Sequence, residues 1–446
     1  MIFNTDRATP MSQTVRKFLC ASALIAAVRK RFSKISDPRK LSEKNKNIPL
    51  IDHLMSGLAI FGLKFPSLLG YDRKRKDPPT KKNLRTLYQV ESPPSDTYLR
   101  ERLDKIDPIL LRPAFTKLFS YLQRGKCLEQ FEFMEGHYLL SLDGTGEFSS
   151  GKICCEQCCQ KKHQNGTVTY YHQMLGACIV HPDKPNVIPL CPENIQNRDG
   201  HKKNDCERNA AKRFLENFRR EHPHLKVIMV EDGLASNAPH IQDLETYGMK
   251  FILGAKPGDH GFLFKQAEES NQTEYYEFKD EKGFFHQFSF INGISLNKSN
   301  LNVKVNFFEY RETNSKGKET GFSWVTNIHI TRSNIYQLMR GGRARWKIEN
   351  ETYNTLKNLG YNFEHNYGHG KQYLSTVFCL LMMLAFLIDQ IQEIACNLYR
   401  TAKKTAGTYR DLWQSMRTLF EYVEVASWEL LYQIIAKKVT IILDST

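Results

Sequence analysis

The sequence predicts an α/β protein: a mixed-sheet core with a β-rich insertion, flanked by a helical N-terminal region and a helical C-terminal tail. Three observations predict it. From 136 to 258, three apolar runs of strand length are followed by helix, strand, helix and strand patterns, the order of a mixed sheet with crossover helices. Two of those strands, "HYLLSLDG" and "KVIMVEDG", end in an aspartate followed by glycine. Residues 259–330 then break the rhythm with alternating stretches such as "LNVKVNFFEY" and "GFSWVTNIHI", which read as added strands.

Taken in order, residues 1–130 read as a helical, basic region. The apolar stretch "FLCASALIAAV" (18–28) is followed at once by Arg29, Lys30 and Arg31 with no small-residue cleavage pattern. It therefore reads as a short helix and not as an export signal. "YDRKRKDPPTKKN" (71–83) is rich in turn residues, and Ser95 stands where a helix cap belongs. Residues 131–258 form the first part of the core, with "TVTYYHQMLGACIV" and "NVIPLCPEN" as strands, "NDCERNAAKRFLENFRREHP" and "APHIQDLETYG" as helices, and "KFILGAKPG" as a closing strand. The β-rich insertion occupies 259–330, and residues 331–390 return to the core through the helix "ARWKIENETYNTLKN" (344–358). "LSTVFCLLMMLAFLI" (374–388) holds fifteen residues before Asp389, short of the ~20 a bilayer requires, and reads as a buried helix. Residues 391–446 form a helical tail suited to dimer contacts.

Bulk properties narrow the function. At 446 residues the chain exceeds one compact core. Sixty-three Lys plus Arg against 48 Asp plus Glu give a formal charge of +15, which favours a polyanionic partner, nucleic acid first and a membrane surface second. Eleven cysteines, an odd number with several adjacent, argue against a disulfide framework and for a reducing, cytoplasmic compartment.

The strand-end acids, Asp143 and Asp232, are the sharpest chemical signal. Carboxylates at the carboxyl ends of strands are accessible yet rigidly held. With a third carboxylate from a helix they suit two hard cations such as Mg²⁺ or Mn²⁺, the arrangement that activates an attacking oxygen and stabilises the leaving one in phosphodiester cleavage. The bland alternative for each Asp-Gly pair is a simple turn. The 344–358 helix offers two acids. At ~100° per residue, Glu349 lies within ~40° of Arg345 and Tyr353, whereas Glu351 is ~200° away. Glu349 is therefore the third acid, with Arg345 beside it to hold it or a phosphate.

These residues carry a resemblance. "SLDGTGEFSS", "VIMVEDGLAS" and "RWKIE" resemble the catalytic motifs of DDE transposases of bacterial insertion sequences, in the insertion-sequence-four-like group. The resemblance implies an RNase H-like catalytic core with Asp143, Asp232 and Glu349 as metal-binding catalytic acids and Arg345 on the motif's arginine. It implies an endonuclease acting in DNA recombination, with double-stranded DNA (element ends and target) as partner. A homodimer in the synaptic complex, a nucleoid-associated cytoplasmic location and no membrane are implied as well. The motif's tyrosine position is Gly342 and its lysine position Leu356, which leaves Tyr353 and Lys357 as substitutes for DNA contact. A tryptophan on the insertion's last strand stacks on a flipped base in relatives that cut through a hairpin, and Trp324 stands at the matching point, with a packed core aromatic as the competing reading. A stand-alone nuclease and a catalytically inactive DNA-binding regulator share the same fold.

A second constellation is "CCEQCC" (154–159) with His163 and His172 downstream. Cys155 and Cys158 have the two-residue gap of a zinc knuckle, so Cys155, Cys158, His163 and His172 form a candidate structural Zn²⁺ set, with Cys191 and Cys206 as alternatives and free thiols as the competing reading. His365 and His369 in "EHNYGHG" read as a surface turn or phosphate contact. The basic clusters Arg29-Lys30-Arg31 and Arg73-Lys74-Arg75-Lys76 could supply phosphate contacts, or simply face solvent.

Overall fold

Apolar periodicity sets the elements of the computed structural model, which describes residues 18–39, 48–197 and 206–440. Six helices come first: α1 (Ala21–Phe32), α2 (Leu50–Gly62), α3 (Leu68–Lys74), α4 (Pro78–Tyr88), α5 (Asp96–Leu103) and α6 (Arg112–Arg124). The stretch 71–83, expected to be a turn, is mostly helical: only Arg75–Asp77 interrupt it, and Pro78 starts α4 where a proline has no N–H to lose. Strands β1 (Glu132–Met134), β2 (His137–Ser150), β3 (Cys159–Lys162), β4 (Val168–Val180), β5 (Ile188–Pro189) and β6 (Glu193–Ile195) follow. The single strand expected over "NVIPLCPEN" is split into β5 and β6, because Pro192 has no N–H to give a ladder. Next come α7 (Glu207–Glu221), β7 (Val227–Glu231), α8 (Ala238–Thr246), β8 (Lys250–Gly254), α9 (Gly261–Glu269), β9 (Glu274–Lys279), β10 (Phe285–Asn297), β11 (Asn300–Thr313), β12 (Glu319–Thr326) and α10 (Ile335–Arg343). The chain ends in α11 (Asn354–Asn358), α12 (Leu374–Ala395), α13 (Asn397–Ala406), α14 (Tyr409–Tyr422) and α15 (Trp428–Ile435).

These elements fall into two compact units. One comprises residues 131–146 and 173–353 and holds the mixed sheet. The sheet follows the path β3-β4-β2-β7-β8-β12-β11-β10-β9, with β6 pairing β4 off that path, and β2, β7 and β8 are mutually parallel. A mixed sheet with helical N- and C-terminal parts is the fold class expected from the sequence. β7 is buried at every position, as a central parallel strand should be. α7 presents Ala210, Ala211, Phe214, Leu215 and Phe218 to the interior at helical spacing. The insertion joins the sheet through β12, which pairs antiparallel with β8, and builds outward as a meander of long strands.

The other unit comprises residues 1–130, 147–172 and 354–446, so N- and C-terminal helices that are far apart in sequence form one body. Its centre is α12, which runs to Ala395, beyond the fifteen apolar residues read from the sequence. Its 22 residues are long and apolar enough to cross a membrane by length and composition, but 89% of its most apolar stretch is buried inside the fold. Asp389 explains how the helix continues past its apolar run. Its carboxylate is paired with the Lys64 ammonium and accepts from the Tyr361 hydroxyl. Lys64 in turn lies 4.6 Å from the centres of the Tyr361 and Trp413 rings and donates to the Gly62 carbonyl at 2.9 Å.

A buried ion pair costs much to half-remove, because the surviving charge stays desolvated. Asp389→Ala is expected to destabilise this unit by roughly 3–5 kcal/mol, whereas Lys64→Met combined with Asp389→Leu should cost less than the single change. Urea unfolding of the three proteins checks this, and a double variant no better than Asp389→Ala would show that the pair itself stabilises the fold.

Candidate active site

The register of β2 and β7 is parallel, with Leu140 opposite Met229 and Ser141 opposite Val230. Asp232 directly follows β7, as expected, but β2 runs on to Ser150, so Asp143 lies within its strand and not at its end. Asp232 accepts from the Leu234 amide at 2.9 Å and so caps the single 3₁₀ turn Gly233–Ala235.

The segment carrying Glu349 is less regular than a helix read at ~100° per residue. Ala344–Trp346 is a 3₁₀ turn, Ile348–Tyr353 a π-helical turn, and only Asn354–Asn358 is α-helical; wide turns of this kind recur at functional sites. Arg345 and Glu349 still share a face. The Arg345 guanidinium is 3.6 Å from Glu349 and 3.7 Å from Asp143, so one cation bridges the strand acid and the helix acid. Ser141 Oγ donates to the Arg345 carbonyl at 3.2 Å, fixing the segment to β2. Glu351 faces elsewhere, into an open cleft of about 380 Å³ that it lines with His286, Tyr310, Tyr336, Arg340, Arg343, Trp346 and Lys347 among others.

A further acid joins the first three. Glu207, in the first turn of α7, brings its carboxylate over Gly144, where an added Cβ would lie only 2.1 Å from Oε1. Desolvation, then the Asp232 and Glu231 charges, push the Glu207 carboxyl above its usual range. Asp143 is raised to about 7, mainly by burial and against the pull of Arg345, with a hydrogen bond to Glu349 and the Glu349 and Glu207 charges adding to the rise. Sequence reasoning missed Glu207, since an acid in the first turn of an amphipathic helix is ordinary dipole decoration.

Several expected contacts fall elsewhere. Tyr353 is buried, and its hydroxyl donates to the Asp143 main-chain carbonyl in space left by Gly176. It is a strut behind the site and not a surface for DNA. Lys357, half-buried, is paired with Glu364 at 3.0 Å. Trp324, expected to stack on a flipped base, is 5% exposed and sandwiched against Phe308 and Phe322 at ring separations of 5.1 and 5.8 Å. Its indole also explains Gly342: a Cβ there would lie 2.5 Å from Trp324 Nε1, so no tyrosine fits. The exposed tryptophan is Trp346, 46% accessible, with the Arg345 guanidinium 4.3 Å from its ring centre.

The cysteine cluster forms in the helical unit with a changed membership. Cys155, Cys158 and His172 come together as the spacing suggested, but the fourth group is His369. Cys155 Sγ and Cys158 Sγ are 3.8 Å apart and lie 3.3 and 3.4 Å from His172 Nε2; Cys158 Sγ is also 3.3 Å from His369 Nε2. His163 lies apart on the exposed β3–β4 hairpin, bonded to Thr169 Oγ1 at 2.8 Å. Cys191 and Cys206 belong to the other unit. None of the eleven cysteines is in a disulfide.

No family model and no curated protein matches the chain. Among solved structures it is similar to the piggyBac transposase in a synaptic complex with hairpin DNA, at 12% identity and a TM-score of 0.40, over 98% of this chain and 87% of that one.

Two expectations follow from the geometry. A carboxyl raised from 3.8 to about 7 in the folded state leaves stability intact below pH ~4, erodes it between pH ~4 and ~7, and keeps the full penalty above that. With chelator present, Asp143→Asn should therefore melt a few degrees above the parent at pH 8, with the gap closing toward pH 4; an equal or lower melting temperature at pH 8 would refute it. Trp324→Ala should destabilise by about 3–5 kcal/mol as a large-to-small core change, with every activity falling in proportion. Intact folding with one selectively impaired DNA step would contradict the packed position.

Proposed function

We propose that the protein is a DDE-type DNA transposase. On this reading it binds the terminal inverted repeats of its element as a dimer, cuts phosphodiester bonds at Asp143, Asp232 and Glu349, and transfers the freed 3′-hydroxyl ends to target DNA. It works in the cytoplasm, at the nucleoid. The observation that carries the reading is the pairing of Asp143 with Glu349 through one hydrogen bond and one shared arginine, with Asp232 following the strand that runs parallel to β2.

The donor set fits hard divalent cations. Burial first, and neighbouring acids second, raise the Asp143 and Glu207 carboxyls, and all-oxygen ligands suit Mg²⁺ or Mn²⁺. Bound there through Asp143, Asp232 and Glu349, two such ions would supply activation of the attacking oxygen and charge stabilisation at the leaving one. The chain's own contribution is positional. Arg345 holds Glu349 toward Asp143, Tyr353 and Ser141 fix the strand-to-helix spacing, and Glu207 adds negative charge beside Asp232.

DNA contact is supported by the +15 charge and by the cleft beside the Glu349 turn. Arg340, Arg343 and Lys347 there offer phosphate contacts, and the exposed Trp346 offers a stacking face.

The test is cleavage and strand transfer with the element's flanking DNA as donor. Asp143→Ala, Asp232→Ala and Glu349→Ala should each lower Mg²⁺-dependent cleavage on the order of 1,000-fold while end binding survives. Glu351→Ala should keep most activity, because its side chain faces the cleft. Cleavage without joining would assign a nuclease, and end binding without cleavage in the parent would assign an inactive regulator. An active Glu349→Ala beside a dead Glu351→Ala would overturn the assignment of acids.

A further inference from the structure

We propose that Cys155, Cys158, His172 and His369 hold one structural zinc ion, in a site separate from the acidic cluster. Four donors within 4.8 Å of one another, two thiols and two imidazoles, are the set that selects tetrahedral zinc. The spacing fits. Zn–S bonds of about 2.3 Å and Zn–N bonds of about 2.0–2.1 Å at tetrahedral angles place two sulfurs about 3.8 Å apart and a sulfur about 3.6 Å from a nitrogen. The observed separations are 3.8 Å between the sulfurs and 3.3–3.4 Å between sulfur and nitrogen.

The surroundings argue for a closed, structural site and not for a redox pair or an open catalytic metal. Cys158 and His172 are each 1% exposed and His369 6%, and the Phe148 ring lies 4.3 Å from the His369 ring. With four protein donors no position is left for substrate. A carboxylate stands behind the imidazoles. Glu147 is buried and interacts electrostatically with both histidines. Its Oε2 and the His369 Nδ1 are both enclosed without a hydrogen-bond partner among the described residues. Carboxylates near metal-ligating histidines raise their basicity, so Glu147 acts on the two imidazoles through its charge, while its hydrogen bond goes to Cys379.

The site also accounts for a stretch of chain that has no regular structure of its own. Between α11 and α12 the chain makes bends and turns and passes through Gly368 and Gly370 at positive φ. Asp104 secures its far end, accepting from the amides of Lys371, Gln372 and Tyr373 at 2.9–3.1 Å. His369 would secure the near end, closing a span of 211 residues back to Cys158. The metal thus fastens the β2–β3 connection, the start of β4 and the approach to α12 to one another.

Elemental analysis of the full chain, purified without chelator, should find about one zinc per molecule. His369→Ala should lose it and His163→Ala should keep it. Cobalt(II) in place of zinc should give the visible absorption of a tetrahedral sulfur–nitrogen site, and a chelator should lower the melting temperature. Because His369→Ala could also disturb folding, His369→Cys serves as the companion: it restores a ligand, retains the metal and moves the cobalt bands toward those of a three-sulfur site. Glu147→Gln should weaken zinc on the order of 10- to 100-fold in chelator competition. No stoichiometric metal in the parent, or zinc kept by His369→Ala and lost by His163→Ala, would overturn the proposal. None of these readouts depends on DNA cleavage, so the site stands or falls apart from the proposed activity.

Discussion

Like charges gathered around one arginine are the constraint around which the mixed-sheet unit is arranged. Arg345 stands between Asp143 and Glu349, which also share a hydrogen bond, and Glu207 lies in the field of Asp232 and Asp143. The parallel register of β2 with β7 sets the two aspartates side by side. The Ser141–Arg345 and Tyr353–Asp143 hydrogen bonds hold the Glu349 segment against β2 from both ends of its wide turn.

The helical unit meets the cost of buried charge by a different route. Lys64 and Asp389 are enclosed together, and the pair is completed by Tyr361 and by two aromatic faces over the ammonium. Full pairing and ring contact replace lost water, so no external ion is called for. The cysteine–histidine cluster in the same unit gathers two thiols and two imidazoles around a small common volume, with the buried Glu147 carboxylate acting on both imidazoles.

What was legible in the sequence follows the range of the signal. Apolar runs and strand-helix order act over short windows, and they yielded the order of elements along the chain and the β-rich insertion. The Arg345–Glu349 contact was legible because a short Arg-to-Glu spacing is a local feature. Glu207 was not, since nothing in an acidic first helical turn says that the turn lies over another strand's acid. His369 was hidden by 211 intervening residues and by glycines that suggested an idle turn. His163, nearer in sequence to the cysteines, was preferred for that proximity alone. The same limit misled the aromatic assignments, because alternation along a strand shows that Trp324 and its neighbours take opposite faces without saying which face is covered.

The covered face of Trp324 links two of these misreadings. Its indole occupies the space beside residue 342, where the motif it resembles carries tyrosine and this chain carries glycine. Only a residue without Cβ tolerates that approach, so Trp324 and Gly342 are two halves of one packing solution. Tyr353 is likewise drawn inward, its hydroxyl seated against Gly176 and bonded to the backbone of Asp143. Of these two large aromatic side chains, Trp324 packs within the insertion against Phe308 and Phe322, and Tyr353 braces Asp143 from under the wide turn. The exposed aromatic surface beside the site then comes from Trp346, within the turn that positions Glu349 and against the arginine that holds it.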